Sequence, residues 1–259
     1  MTQILGGERQ GLVFEIVSAR ICDEGEEKKH VIYTLQVRHI SGSDDLSPSV
    51  IERRYTHFLN LYNALKKEHP NLLVNIVFPK KVILGNFDNE LISTRSTGFE
   101  SLLKHISTES KLRSSKALVD FLQSVELEKA RRFLEKSEFS NALPLLENNF
   151  KLLNKVFTDR SPAVLIALCR LLGCCMSIPN CLHSEKWAHL ALHRYDGVSD
   201  SDLLELYVPL LTACVKIGWQ TDIIQQKLRD LERQGVKINK QCSLLDEVNI
   251  VEEKIFGSQ

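Results

Sequence analysis

At 259 residues, with 43% hydrophobic and 25% charged side chains, the chain is long enough for one large or two ordinary folded domains and is not a disordered polymer. Its 33 basic and 33 acidic side chains cancel, so overall charge gives no support to a general nucleic-acid binder. No apolar run approaches the roughly 18 residues a membrane-crossing helix needs, and Met1 to Gly7 lacks the basic start and apolar core of a signal peptide. Residue 2 is not the glycine that myristoylation requires, and Gly257-Ser258-Gln259 carries no prenyl cysteine, so any membrane contact is expected to be peripheral. Seven scattered cysteines (22, 169, 174, 175, 181, 214, 242) imply free thiols in a reducing compartment rather than a disulfide framework.

In chain order, residues 1–10 read as a tail. Leu12 to Ala19 and His30 to Val37 are rich in β-branched and aromatic residues and read as strands. The charged stretch Asp23 to Lys29, with Gly25 inside it, forms the hairpin loop between them. Ser41-Gly42-Ser43-Asp44-Asp45 marks a second turn, and Ser49 to Arg54 a third strand. The period then changes. Tyr55, Phe58, Leu59, Tyr62 and Leu65 recur on one face of a helix. His69-Pro70 should end it, because the residue before a proline is pushed out of the helical region. Asn71 to Asn86 is expected to be irregular, stiffened by Pro79. Phe99, Leu102, Leu103 and Ile106 form the face of a further helix, and Leu118, Phe121, Leu122 and Val125 that of another. Three strands followed by helices make a small α+β domain over residues 11–125.

Over residues 126–259 strand signals disappear. Ala163 to Leu172 and Asp202 to Ile217 read as helices, with breaks near Ser161-Pro162, Ile178-Pro179-Asn180, Asp196-Gly197 and Gly218. Paired helices with short connections indicate an all-α stack of helical hairpins. Ala130, Phe133, Ala142 and Leu146 are spaced as in one tetratricopeptide repeat. Leu172-Gly173 with Ala188 and Leu192 is a looser copy, and Asn149 falls where the repeat wants a small residue.

Function is carried by a basic constellation. Arg53 to Lys116 holds eleven Lys/Arg against five Asp/Glu, a local charge of +6 in a neutral chain, which points to a defined anionic partner. Within it lie Glu52-Arg53-Arg54-Tyr55-Thr56-His57-Phe58, then Phe78-Pro79-Lys80-Lys81, then Arg95. Each piece alone has an ordinary reading: a solvated strand end, a surface lysine pair, and Val82-Ile83-Leu84 as a core segment. Together, in this order and between these elements, they resemble the phosphoinositide-binding motif of the PX (phox-homology) domain. The resemblance implies that Arg54 grips the 3-phosphate through its planar fork, that Tyr55 packs on the inositol ring, that Lys81 meets the diester phosphate, and that Arg95 bridges ring hydroxyls. Strand alternation aims Arg53 to the other face. Val82, Ile83 and Leu84 would form a loop dipping into the bilayer. The family's Pro-x-x-Pro turn is reduced here to Pro79 alone.

The order of the two halves is similar to one branch of the sorting nexins, in which a tetratricopeptide-like (PX-B) domain follows the PX domain. Phe78-Pro79-Lys80-Lys81 with Gly85-Asn86-Phe87, and Ser243-Leu244-Leu245-Asp246-Glu247-Val248, are both similar to segments of that group. This resemblance implies a peripheral adaptor on the cytoplasmic face of early endosomes that binds phosphatidylinositol 3-phosphate. Its helical half would recruit protein cargo or receptor tails, and self-pairing stays open. The alternative is a protein-interaction scaffold whose PX domain binds lipid weakly or not at all. Cys174-Cys175 with Cys181 and His183 matches no usual zinc spacing. No nucleophile elbow, metalloprotease helix or phosphate-cradling glycine loop occurs, so neither catalysis nor a cofactor is expected.

Overall fold

The computed structural model describes residues 11–23, 28–39, 48–198, 201–236, 238 and 243–257. The expected N-terminal tail, the turn at Ser41 to Asp45, most of the Asp23 to Lys29 loop and Cys242 therefore lie outside the described residues. The chain divides into two compact units, residues 1–124 and 125–259.

The first unit is built on three antiparallel strands in the order β1-β2-β3: β1 (Leu12–Cys22), β2 (His30–His39) and β3 (Ser49–Arg54). Alternation decides which side chains enter the core. Val31, Tyr33, Leu35 and Val37 of β2 are buried, and in register with them stand Phe14 of β1 and Ile51 of β3. A bulge between Ile16 and Ser18 shifts the register, and Val17 is left on the surface. Helix α1 (Tyr55–Glu68) starts at the last residue of β3 and stops before Pro70, followed by a single 3-10 turn over Pro70–Leu73. Its buried seam is Phe58, Leu61 and Leu65, so the face is rotated from the expected one: Leu61 is inside and Leu59 only half-buried. Helix α2 (Asn89–Thr108) buries Phe99, Leu102, Leu103 and Ile106 as expected, but it begins ten residues before Phe99. After the short α3 (Ser110–Arg113) comes α4 (Lys116–Glu135), which continues unbroken across the division between the two units. The centre of the first core is aromatic. Phe58 stacks on Phe99 at 3.9 Å between ring centroids, Tyr33 meets both edge-on, and Phe121 closes the group.

The second unit is entirely helical among its described residues: the end of α4, then α5 (Phe139–Val156), α6 (Pro162–Met176), α7 (Ser184–Tyr195), α8 (Ser201–Leu204), α9 (Tyr207–Lys216), α10 (Thr221–Arg233) and α11 (Leu244–Phe256). Neighbours in sequence pack as neighbours in space from α5 to α7 and again from α9 to α10, with α7 against α9. The expected breaks near Ile178 to Asn180, Asp196-Gly197 and Gly218 fall between helices, and Ser161-Pro162 marks the start of α6, with Pro162 its first residue. One expected helix is two. The stretch from Asp202 to Ile217 divides into α8 and α9, because a restart at Tyr207 puts Pro209 in a first turn, where its missing N–H interrupts no helical bond. Helix α6 carries thirteen consecutive buried residues, Ala163 to Cys175, and is the spine of this core.

Candidate functional site

The junction of β3 and α1 sorts the two adjacent arginines. Arg53 points into the core and is 1% exposed. It donates from Nε to Phe121 O (2.6 Å), from Nη2 to Leu122 O (2.9 Å) and from Nη1 to Glu52 O (2.7 Å), with its guanidinium near the Phe121 ring. Its fork is a fastening between β3 and α4. Arg54, one residue on, is half-buried on the opposite face and caps α1 in an extended conformation. Its backbone N–H donates to Nδ1 of His57 (3.2 Å), which fixes the start of the helix. The first turn of α1 contains no acidic residue, so the positive end of the helix adds to Arg54 rather than being neutralised.

Tyr55 and Arg95 meet directly. The Arg95 guanidinium lies 4.2 Å from the centre of the Tyr55 ring, so one face that could have stacked on a sugar-like ring is already covered. The Tyr55 hydroxyl donates to Pro79 O (2.8 Å), and its ring packs beside Phe78 and Phe99. Arg95 is 3% exposed and lies well inside α2, in the second turn rather than at its start. It donates from Nη2 to Asn86 Oδ1 (3.1 Å), while its buried Nε has no partner. Among the described residues no carboxylate pairs with it. Burial raises the phenol pKa of both Tyr33 and Tyr55, and the Arg95 charge partly opposes that rise.

Asn86 completes a closed chain of contacts that periodicity and charge could not reveal. Its Nδ2 donates to Val82 O (3.1 Å) while its Oδ1 holds Arg95. The segment Pro79 to Val82 is thus tied at both ends, to Tyr55 at Pro79 and to Arg95 through Asn86 at Val82. Lys80 and Lys81 lie between the two ties, exposed and without a carboxylate partner among the described residues. Beyond them Ile83 and Leu84 are 95% and 85% exposed, whereas Val82 is half-buried and serves through its carbonyl. Val74 and Val77 on the same connection are also largely exposed, and Lys29 reaches over the ring of Phe87 (5.2 Å). Val74 and Val77 are not singled out by the sequence. Four exposed aliphatics thus lie on one connection, beside lysines that have no carboxylate partner among the described residues.

Gly98 explains how the loop approaches α2. A Cβ there would lie 2.4 Å from Pro79 Cγ and 2.9 Å from Cδ, so only glycine lets the rigid proline ring rest on the helix. Gly98→Ala is therefore expected to displace Pro79 and weaken anionic-lipid binding several-fold. The helix-propensity gain of roughly 1 kcal/mol offsets much of the clash, so thermal stability changes little. Vesicle binding measured beside thermal unfolding separates the two; unchanged binding would mean that the seat of Pro79 is irrelevant to the site.

Among the described residues no group of histidine, cysteine and carboxylate side chains could hold a metal ion, and no helix is long and apolar enough to cross a membrane. Cys169, Cys174 and Cys214 are buried, and burial pushes each thiol up to about 12, so none is a thiolate nucleophile.

A three-stranded antiparallel sheet backed by helices, with an arginine–tyrosine junction tied to a basic, apolar-tipped loop, defines a PX domain, and residues 42–125 match the family model of that description. The likeness to known proteins extends well beyond this domain. The chain is 32% identical to sorting nexin-20 of Bos taurus over 217 residues, 80% of this chain and 64% of that one. It is 29% identical to sorting nexin-21 of Homo sapiens over 232 residues, 88% of this chain and 61% of that one. It is thus a PX-domain protein homologous to sorting nexin-20 and sorting nexin-21 over most of its length, and it spans under two thirds of the length of these relatives. A designed CISK-PX domain, solved by X-ray, is 25% identical and covers 42% of this chain and 95% of its own, with a TM-score of 0.34.

Proposed function

We propose that the chain is a peripheral, non-catalytic adaptor in membrane trafficking that binds phosphoinositide headgroups through Arg54, Tyr55, Lys81 and Arg95. Its preferred lipid is phosphatidylinositol 3-phosphate on the cytoplasmic face of early endosomes, and its helical unit recruits protein cargo. One observation carries the lipid reading. Arg95 is a buried cation that pairs with no carboxylate among the described residues, held against Tyr55 at the foot of a loop that bears Lys81. Burying an arginine is costly unless something anionic or strongly accepting completes its bonds. A headgroup bearing phosphates and hydroxyls does so. In this geometry Tyr55 acts first as the platform for Arg95 and the tether of Pro79, and only its remaining surface is available to the ligand. The homology to sorting nexins supports the trafficking role.

Co-sedimentation with vesicles containing each phosphoinositide in turn, at low and high salt, tests the reading. Selective binding to a 3-phosphorylated lipid is expected. Binding that ignores headgroup identity, or none, would make the chain a protein-interaction scaffold instead. The exposed loop adds a second contribution. Replacing Ile83 and Leu84 together by aspartate is expected to lower vesicle binding about tenfold or more, since each buried aliphatic contributes roughly 1.5–3 kcal/mol before discounting for depth. Binding of the soluble inositol 1,3-bisphosphate headgroup, followed by calorimetry, should stay the same. Equal losses in both assays would show that these residues shape the pocket rather than enter the bilayer.

A further inference from the structure

In the helical unit, one face is covered by a segment of the same chain. Helix α11 packs on α6, α8 and α9, and its buried residues Leu244, Val248, Val251 and Glu252 run along one side. The approach is close: a Cβ on Gly173 of α6 would lie 2.8 Å from Leu245 Cγ. At the other end of the contact, Arg131 of α4 and Arg170 of α6 both donate to the same oxygen, Glu252 Oε2, at 2.8 and 2.7 Å. Arg170 is the only charge on α6. It is 1% exposed, and its Nη1 is buried with no partner. Burial lowers its pKa, with Glu252 opposing that shift. Where α11 begins, an open cleft of about 200 Å³ lies beside α6 and α9, lined by Met176, Pro209, Thr212, Lys216 and Leu244.

We propose that this face is a helix-recognition groove held in a self-occupied state by α11, and that its external ligand is an amphipathic helix of a partner protein carrying a carboxylate where α11 carries Glu252. The charge arrangement sets the specificity. Two guanidiniums sit at one end of an otherwise apolar seat, and one of them has no access to water. An apolar helix without an acid would leave both uncompensated and is rejected, whereas an acidic amphipathic helix reproduces the contacts α11 makes. The proposal rests on reading the helical unit as the protein-binding half, and it is independent of lipid.

The test uses the full chain and a fluorescein-labelled synthetic peptide of residues 243–257 as the surrogate helix, in solution without vesicles. Val248→Asp with Val251→Asp puts two carboxylates on the apolar side of α11 and expels it while leaving the groove walls intact. The double variant is expected to bind the peptide about tenfold or more tighter than wild type, whose groove is occupied. A peptide with Glu252→Gln is expected to bind the double variant about tenfold or more weaker than the native peptide. A folded double variant that ignores the peptide, or equal binding of the two peptides, overturns the proposal. So does collapse of the whole helical unit in the double variant, because α11 would then be a fixed part of the core. Hydrogen exchange of the wild-type chain is the second measurement. The α11 amides should open more readily than those of α6, and equal protection of the two helices contradicts a displaceable helix.

Discussion

Arg54→Ala is expected to reduce binding to phosphoinositide vesicles about thirtyfold or more, equivalent to about 2 kcal/mol, with the N-terminal unit stable to within about 1 kcal/mol of wild type. The first half follows from chemistry. A guanidinium meets a phosphate monoester with paired, charge-assisted hydrogen bonds, and alanine supplies none. The second half follows from position. Arg54 is half-exposed on the face of β3 away from the aromatic core, and alanine accepts the extended backbone it adopts there. Vesicle co-sedimentation and calorimetric melting of the same preparation read both halves. A variant that binds like wild type removes Arg54 from the site; one that unfolds makes it a structural residue.

Its neighbour gives the opposite expectation. Arg53→Ala should destabilise the N-terminal unit by about 3–5 kcal/mol, because it empties a fully buried site and removes three charge-assisted bonds, two of which join β3 to α4. For a unit of this size the melting temperature falls by more than about 10 °C. Arg53→Lys should recover little, since a single ammonium cannot reach Phe121 O and Leu122 O as a planar fork does. Trp187 and Trp219 both lie in the helical unit, so tryptophan fluorescence does not report this transition; calorimetry does. Melting unchanged from wild type would mean that the buried fork adds nothing beyond what a hydrophobic side chain could supply, and lipid binding lost without any loss of stability would make Arg53 a ligand residue. Two like residues side by side, with opposite expected outcomes, make a single comparison that separates stability from recognition.

Much of the scaffold can be read from the residues, for definite reasons. The strands declare themselves because one face is buried and alternation is strict along β2. Breaks between helices follow proline and glycine, which act locally. The errors lie where a distant contact overrides local pattern. Leu61 rather than Leu59 faces the core because the seam of α1 is fixed by Phe99 and Phe121, which no window around α1 contains. Arg54, Tyr55, Lys81 and Arg95 could be singled out by their resemblance to the PX motif. What they do to one another could not, since Tyr55 covering its face with Arg95 depends on where α2 passes. The contacts of Asn86 and Gly98 could not be read for the same reason. An amide in an irregular loop and a glycine inside a helix have no period, and their meaning comes only from Val82, Arg95 and Pro79 around them.

The double tie on the Pro79 to Val82 segment has a kinetic meaning. A loop held at both ends before the lipid arrives needs no slow rearrangement at encounter, so arrival at an anionic bilayer should run near the electrostatically steered limit and slow as ionic strength rises. On the proposed reading, departure would be governed elsewhere, by the time needed to pull the exposed Ile83 and Leu84 back into water. Dwell time on a membrane would then be lengthened or shortened at the apolar tip without altering which headgroup is read, and on this proposal arrival rate, headgroup choice and residence would each answer to a different few residues.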